Sequence, residues 1–227
     1  MTAPLELRTA RLLLRFHKQE DIPSLVRLAG AREVAATTLN IPHPYTDEDA
    51  RKFLTRSEDD FRAGRSVSFA ICKLPGDELC GGAGLEISET HQRAELGYWI
   101  GVPYWRKGYA TEAARAMLEY GFANLGLHRI HAHYFAENTA SGRVLEKIGM
   151  RAEGRLRNHF QKWNRFIDVE NCGILSEEFR QAERARKSES ESSSRTENSS
   201  ERDSASRTGS TGKGEPARRS EVSREGE

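Results

Sequence analysis

The order in which the hydrophobic period changes along the chain is the feature that most constrains its fold. Short apolar runs bounded by turn residues indicate strands, whereas apolar residues spaced three and four apart indicate one face of a helix. The strands are predicted at Arg11–His17, Ser68–Lys73, Cys80–Ser88, Arg93–Ile100, Arg129–Phe135, Met150–Arg157 and Phe166–Leu175. The helices are predicted at Glu20–Ala29, Asp47–Phe61, Thr111–Asn124 and Ala140–Ile148.

This order predicts one α/β (α+β) domain. One strand and two helices come first, and short polar turns then join three strands in antiparallel hairpins. A helix, a strand, a helix and two strands complete the order. We therefore expect a central mixed, mostly antiparallel seven-stranded sheet flanked by about four helices.

The last part of the chain differs in composition from the rest. Residues 186–227 contain no aromatic residue, and Val222 is their only large aliphatic one. Such a segment cannot bury enough apolar surface to offset the entropy lost on ordering. The composition predicts a folded domain over residues 1–185 and a disordered polar and charged tail over residues 186–227.

Charge and cysteine content narrow the class of protein. The formal net charge is +1, and opposite charges are mixed in the tail, so no basic arm for nucleic acid is predicted. Three sparse cysteines (Cys72, Cys80 and Cys172) indicate a reducing compartment rather than a disulfide framework. The N-terminal apolar run contains an arginine, so it resembles neither a signal peptide nor a membrane span. We expect a cytoplasmic protein that binds neither membranes nor nucleic acid directly.

The stretch Tyr104–Ala113 (YWRKGYATEA) is the most informative local motif. It lies where a predicted strand passes into an amphipathic helix, and unpaired N–H groups at the positive end of a helix dipole favour an anion. Gly108 allows close approach of the backbone to a ligand, and Arg106 and Lys107 add positive charge. The alternative interpretation is an ordinary strand–helix turn with Thr111 as the N-cap.

Three separated blocks carry a resemblance to a known family. They are AELGYWIGVPYWRKGYATEA, NTASGRVLEKIGM and GRLRNHFQKWNRFIDVENCGIL, in that order. From about Leu5 to Phe179 the chain resembles the GNAT superfamily of N-acetyltransferases, and most closely its RimJ/RimL-like ribosomal-protein N-terminal acetyltransferases. Two departures from the general pattern are Trp105, where Gln or Arg is preferred, and Leu145, where many members have tyrosine. The resemblance implies the GNAT acyl-CoA N-acyltransferase fold, with acetyl-CoA as co-substrate and a primary amine as acceptor.

The same resemblance implies a set of cofactor-binding residues. The turn from Trp105 to Thr111 would wrap the CoA diphosphate through its backbone amides, Asn138 would face the pantetheine arm, and Arg143 would lie near the nucleotide phosphates. The alternatives are a helix N-terminal asparagine and a solvated surface arginine. The implied residues are Tyr98, Trp99, Ile100, Arg106, Lys107, Gly108, Tyr109, Ala110, Thr111, Asn138 and Arg143.

Two residues are the catalytic candidates. An amine must lose a proton to react, and the resemblance assigns Glu95 as the base, with a rim carboxylate paired with Arg93 or another cation as the alternative. The resemblance also implies that the strand Arg93–Ile100 splays from Arg129–Phe135 and that the acetyl thioester lies in the gap. A local irregularity around Gly97–Trp99 is expected to free an amide N–H there that polarises the thioester carbonyl. Ser141 is the nearest hydroxyl candidate to protonate the departing thiolate, or it merely bonds the backbone.

His131 and His133 share one face of a strand, but no Cys, Asp or Glu cluster accompanies them in the sequence, so no metal is predicted. The resemblance implies that the loop between the last two strands and the approach to the second helix border the acceptor site. The basic and aromatic segment Arg155–Ile167 then favours a peptide acceptor, whereas the acidic run Asp47–Asp49 opposes it. We therefore expect acetylation of a protein N-terminal α-amine. A small-molecule amine and a non-catalytic CoA-binding adaptor stay as alternatives, and the sequence leaves the oligomeric state, including a homodimer, open.

Overall fold

The computed structural model describes residues 5–186 and residue 188. The segment for which a disordered tail is predicted therefore lies outside the described residues, apart from Arg186 and Ser188. The chain divides into two compact units, Met1–Gln181 and Ala182–Glu227. The whole sheet belongs to the first unit.

Residues 5–175 form eight strands, five helices and short 3-10 turns. Another helix begins at residue 176. The strands are β1 (Glu6–Arg8), β2 (Leu12–Phe16), β3 (Ser66–Lys73), β4 (Glu78–Ser88), β5 (Arg93–Ile100), β6 (Arg129–Phe135), β7 (Arg151–Lys162) and β8 (Arg165–Leu175). The helices are α1 (Ile22–Ala29), α2 (Arg32–Ala35), α3 (Asp47–Arg62), α4 (Tyr109–Ala123) and α5 (Thr139–Lys147).

One sheet in the order β1-β2-β3-β4-β5-β6-β8-β7 confirms the predicted mixed α/β architecture. Every neighbouring pair is antiparallel except β5 and β6. The sheet has eight strands rather than the predicted seven because β1 is paired with β2, from Glu6 opposite Arg15 to Arg8 opposite Leu13. Three residues are too few to show a period in the sequence. The four-residue helix α2 escaped prediction for the same reason.

Helices cover both faces of the sheet. Met117 and Leu118 of α4 and Leu145 of α5 are buried in one apolar cluster. Leu25 of α1 and Leu54 of α3 are buried in a second. Because side chains alternate along a strand, β5 carries different groups on its two faces, and this alternation positions the candidate site.

Strands β5 and β6 separate partway along their length. Their parallel pairing runs from Arg93 opposite Arg129 only to Glu95 opposite His131. On its other side β5 stays in unbroken register with β4, from Ser88 opposite Arg93 to Gly81 opposite Ile100. The expected irregularity around Gly97–Trp99 is therefore not a bulge against β4.

The separation itself directs backbone amides into the gap. The amide of Gly101 donates to the carbonyl oxygen of Cys80 at 2.9 Å, so the odd-numbered residues of β5 bond to β4. The amides of Tyr98 and Ile100 consequently point toward β6, beyond the place where its pairing has ended. The expected splaying of the two strands is thus present, and it leaves these amides beyond the last β5–β6 pair without a local distortion of β5 against β4.

Candidate active site

The turn before α4 is built from left-handed backbone positions. Arg106 has φ +60° and Gly108 has φ +79°, and Gly108 is the N-cap of a helix that begins at Tyr109. The predicted start at Thr111 is therefore two residues late, and the alternative in which Thr111 is the N-cap is wrong. Glycine adopts this conformation at no steric cost, so the helix can begin directly after it.

No side chain caps this helix. The cap position makes no side-chain hydrogen bond, and the first backbone bond of the helix runs from the Glu112 amide to the Gly108 carbonyl at 3.1 Å. The amides of Tyr109, Ala110 and Thr111 therefore have no acceptor within the helix. Together with the helix dipole, they form a geometry suited to an anion.

Two aromatic side chains support the turn. The indole Nε1 of Trp105 donates to the carbonyl oxygen of Ile100 at 2.6 Å, which ties the turn to the end of β5. The buried Tyr104 donates its hydroxyl to Glu78 at 2.5 Å, and Lys107 Nζ lies 5.6 Å from the Tyr104 ring centre. Trp105, which departs from the superfamily pattern, therefore helps to hold the backbone of this turn in place.

A carboxylate inside α4 connects the turn to the chain before β2. Glu112 accepts hydrogen bonds from the Thr9 hydroxyl at 2.6 Å, the Arg11 amide at 2.9 Å and Arg11 Nε at 2.7 Å. Burial alone would raise the pKa of Glu112, but these bonds hold it below its ordinary value. Sequence reasoning missed Arg11 and Glu112 as parts of the site because about a hundred residues separate them.

Asn138, Ser141 and Tyr98 meet at the start of α5. Asn138 is the N-cap, and its Oδ1 accepts from the Ser141 amide at 3.2 Å. The Ser141 hydroxyl and the Tyr98 phenol share a hydrogen bond of 2.8 Å, and the phenol also lies 3.2 Å from the Ser141 carbonyl. Burial raises the pKa of Tyr98 above its ordinary value. The phenol is therefore a neutral hydrogen-bonding partner that the sequence interpretation had not assigned to Ser141.

The other predicted cofactor residues are placed differently. Arg143 is exposed, and its Nη1 donates to the Thr139 hydroxyl at 3.3 Å, one turn back along α5. Trp99 lies against Gly82 of β4, where an added Cβ would be 2.6 Å from the indole nitrogen. Ile100 is buried. Contact of Trp99 and Ile100 with a ligand would therefore come through the backbone.

Glu95 lies between two histidines on β6. Its Oε1 is 2.9 Å from His133 Nδ1, and its Oε2 is 3.6 Å from His131 Nε2. Hydrogen bonds with His131 and His133 lower the pKa of Glu95 to about 2, against the opposing effect of burial. Glu95 is thus an ionised, half-buried carboxylate whose partners are histidines rather than Arg93.

The sequence suggested that no acidic residue accompanies the two histidines, and the structure differs on this point. His131 and His133 share a face, as predicted, and a glutamate from the adjacent strand does accompany them. No set of three or more His, Cys, Asp or Glu residues in the described part of the chain is arranged to hold a metal ion. The strand neighbour of a histidine pair cannot be read from the sequence, because the β5–β6 register joins residues more than thirty positions apart.

The hairpin of β7 and β8 lies beside this cluster. The Phe160 ring is 5.2 Å from the His133 ring, centre to centre. Lys162, at the end of β7, is buried and donates to the carbonyl oxygens of Leu39 at 3.1 Å and Ile41 at 2.8 Å. Burial lowers the pKa of Lys162. The basic and aromatic segment predicted to border the acceptor thus packs against the loop between α2 and α3.

In the described part of the chain, no helix has both the length and the apolar character needed to cross a bilayer.

Comparison with known proteins identifies the family. The profile of the acetyltransferase (GNAT) domain matches residues 11–151. The uncharacterized N-acetyltransferase p20 of Bacillus licheniformis is 35% identical over 175 residues, covering 76% of this chain and 97% of p20. The spermidine N(1)-acetyltransferase of Vibrio cholerae is 32% identical over 171 residues, covering 75% of this chain and 96% of that enzyme.

A solved structure shares the fold. Mycobacterium smegmatis RimJ, in complex with a CoA-disulfide, superposes with a TM-score of 0.68 at 24% identity, covering 77% of this chain and 88% of that one. This likeness concerns the fold. Together with the domain match and the curated relatives, it shows that the chain belongs to the GNAT family and is an acetyl-CoA-dependent N-acetyltransferase.

Proposed function

We propose that this enzyme acetylates the N-terminal α-amine of a protein. The observation that carries the proposal is the wall beside Glu95, where the hairpin supplies aromatic and cationic side chains. Two carboxylates of this hairpin already have partners: Glu170 pairs with Arg155 at 2.5 Å, and Asp168 accepts the Asn158 amide at 2.9 Å. Such a wall suits a peptide chain better than a multiply charged amine.

In the acidic run Asp47–Asp49, which argues against a peptide acceptor, two of the three carboxylates have partners within α3 or its cap. Asp49 accepts hydrogen bonds from the Thr46 amide and hydroxyl at 2.9 and 2.6 Å, as part of the capping box of α3. Glu48 pairs with Lys52 one turn later, at 2.7 Å. The negative charge at this helix start therefore has a structural use. The argument that these carboxylates bind a polyamine is correspondingly weaker.

The chemistry of the acceptor points the same way. An α-amino group with a pKa of about 7.7–8.0 is about a quarter neutral at about pH 7.4, whereas a lysine-like amine is about 0.1% neutral. Only the neutral amine has a lone pair for attack. An α-amine therefore needs less help from the protein than a polyamine does.

The cofactor assignments form part of this proposal. The CoA diphosphate would bind the amides of Tyr109, Ala110 and Thr111 after the Gly108 turn, with Arg106 and Lys107 adding positive charge. The amide of Tyr98 would stabilise the developing oxyanion, since it points into the gap between β5 and β6. The remaining assigned contacts are Trp99, Ile100, Asn138 and Arg143.

The catalytic residues are the last part of the proposed function. Glu95 would assist removal of the proton from the amine, and the pair formed by Ser141 and Tyr98 would return a proton to the CoA thiolate. Support for the second role comes from the 2.8 Å bond between the two hydroxyl groups. Ser141 alone was the candidate from the sequence, and the partly buried phenol of Tyr98 is added to it here.

A polyamine is the second candidate acceptor. Glu86 of β4 is the register partner of Glu95 and is exposed, so two carboxylates lie side by side at the mouth of the site. The relative from Vibrio cholerae is named for spermidine acetylation. Replacing Glu86 with Gln would then raise KM for a polyamine and leave KM for an uncharged peptide unchanged.

The test is a thiol-release assay with acetyl-CoA across N-terminal peptides of ribosomal proteins, polyamines and amino sugars. We expect the highest kcat/KM for a peptide class, with a loss in Glu95→Gln and no loss in His91→Gln, whose side chain is exposed outside the site. Preferential turnover of polyamines or amino sugars would replace the proposed acceptor. Mass spectrometry of the product would locate the acetyl group on the α-amine.

We also propose that the enzyme forms a homodimer. Support comes from β7, a twelve-residue strand at the edge of the sheet whose residues are almost all exposed. An exposed edge of this length is a ready site for pairing. Light scattering of the full chain would give twice the mass of one chain, and a monomer at every accessible concentration would contradict this.

A further inference from the structure

We propose that His133 receives the proton of the attacking amine, and that Glu95 acts through it as a positioning residue. This inference rests on the acetyl transfer of the proposed function and not on its acceptor class. It assigns a new role to a histidine that sequence reasoning had considered only as a metal ligand.

The geometry of the pair sets the tautomer. His133 Nδ1 is 2.9 Å from Glu95 Oε1, and an ionised carboxylate can only accept. In a neutral ring the proton therefore lies on Nδ1, which leaves the lone pair on Nε2. A carboxylate in this position orients an imidazole base and stabilises the imidazolium that forms when it takes a proton.

Glu95 itself is poorly suited to keep a proton. With its pKa lowered to about 2, about one carboxyl group in 10⁵ would be protonated at about pH 7. A base is most effective when its pKa lies near the working pH, and the pKa of Glu95 lies far below it. In this pair, the Glu95 carboxylate supplies the negative charge and the His133 ring accepts the proton.

The position of His133 places the ring at the gap. Pairing between β5 and β6 ends at Glu95 and His131, and His133 lies two residues farther along β6 on the same face. It therefore flanks the separation into which the Tyr98 amide points. Its side chain keeps 23% of its surface exposed, so an amine or a bridging water can reach it.

Other titratable groups surround this ring. Glu95 faces it from β5, with Glu86 beyond on β4, and His131 precedes it on β6. From β7, His159 packs on Phe160, the ring that contacts His133, and the register partner on β8 is the neutral Asn171. Glu153 acts electrostatically on His131. The pH dependence of the reaction rate therefore reflects all of these side chains together.

The protonated amine loses one proton to His133 Nε2, and the neutral nitrogen then forms a bond to the acetyl carbonyl carbon. The carbon–sulfur bond breaks, and the thiolate takes a proton from the pair formed by Ser141 and Tyr98. As the amide forms, the nitrogen loses a second proton, which returns through solvent to this pair. His133 finally releases its proton to solvent, which restores the neutral ring.

The discriminating experiment compares two acceptors of similar shape and different basicity. One is an alkylamine that is protonated at about pH 7, and the other is an alkoxyamine that is neutral there. For His133→Gln we expect a loss in kcat/KM of about 10²–10³ with the alkylamine and less than about tenfold with the alkoxyamine. Added imidazole should restore part of the rate in His133→Ala. Acetyl-CoA affinity should be unchanged in both, which also shows that the variants fold.

Equal losses with the two amines would reduce His133 to a structural role and overturn the inference. So would Glu95→Gln with a larger loss than His133→Gln, because Glu95 would then act without the histidine. His91→Gln is the matched control and should behave as the unaltered enzyme does. Failure of peptides alongside turnover of another amine would contradict the proposed acceptor only.

A second measurement needs no turnover. Nitrogen chemical shifts of the histidine rings report which ring nitrogen carries the proton. We expect His133 in the Nδ1–H form in the native enzyme and a shift toward the Nε2–H form in Glu95→Gln. A native ring that is protonated on Nε2 when neutral would have no lone pair there and would overturn the inference.

Discussion

The guanidinium of Arg11 donates a hydrogen bond of 2.9 Å from Nη1 to the carbonyl oxygen of Lys107. The same guanidinium bonds Glu112 and lies 5.0 Å from the centre of the Tyr109 ring. Arg11, the residue before β2, therefore contacts the turn before α4 at Lys107 and the first residues of α4 at Tyr109 and Glu112. The shape of the proposed diphosphate site depends on this distant side chain as well as on the local motif.

Replacing Arg11 with Ala should weaken acetyl-CoA binding by about five- to thirtyfold. The loss corresponds to about 1–2 kcal/mol, the range for charge-assisted hydrogen bonds that hold a partly exposed turn. Calorimetric titration of acetyl-CoA gives the change directly. Arg8→Ala removes an exposed arginine from β1 whose ion pair with Glu6 is 3.5 Å long, and it should leave the affinity unaltered. Equal affinities in the two variants would show that the turn holds its shape without Arg11.

Replacing Gly108 with Ala should weaken acetyl-CoA binding at least tenfold. Its φ of +79° strains any other residue, and an added Cβ would lie 3.2 Å from Arg11 Nη2. Gly126→Ala is the matched control, because Gly126 has φ +64° and open space around its Cβ position. Both variants should lose about 1–2 kcal/mol of unfolding free energy in urea. Only Gly108→Ala should change the affinity, and a parallel change in Gly126→Ala would trace the effect to general strain.

Replacing Gly142 with Ala should destabilise the protein although alanine favours helices. The added Cβ would lie 2.7 Å from the Tyr134 hydroxyl and 2.8 Å from Cζ, so the ring must move. We expect a loss of about 1–2 kcal/mol. In a Tyr134→Ala background the clash is absent, and the same substitution should gain up to about 1 kcal/mol. A gain in both backgrounds would show that the ring moves aside without cost.

His17 should make the protein less stable in mild acid. The ring packs against Phe53, and both of its nitrogens are buried with no hydrogen-bond partner in the described structure. Burial lowers the pKa of His17 from 6.5 to about 4. Between these two values the unfolded chain binds more protons than the folded one, so stability falls as the pH falls. The loss from about pH 7 to about pH 5 is about 2 kcal/mol.

Urea unfolding at these two pH values measures the effect. His17→Leu should remove most of the loss, whereas His91→Gln, at an exposed position, should retain it. Asp21 and Arg15 also act on His17, in opposite directions. The carboxylates with lowered pKa lose their contribution at lower pH, below about 4.5. An unchanged slope in His17→Leu would assign the acid sensitivity to another group.

Local patterns in the sequence were sufficient for the order of the elements. The strands that became β3 to β6 and the helices that became α3 and α5 were predicted within a few residues of their observed ends, because alternation and helical spacing reflect which side chains must be buried. The turn at Gly108 could also be predicted, since a glycine between a strand and a helix is a local conformational requirement.

Contacts between distant segments were decided only by the tertiary structure. The parallel register of β5 and β6 brings His131 and His133 to Glu95, and the end of that register opens the gap faced by the Tyr98 amide. The path of the chain before β2 brings Arg11 to Lys107. A single sequence records which residues are apolar or charged, so it determined the elements and the family of this protein. It carries no record of strand register, and therefore the partners that set the charge state and orientation of the site residues came from the fold alone.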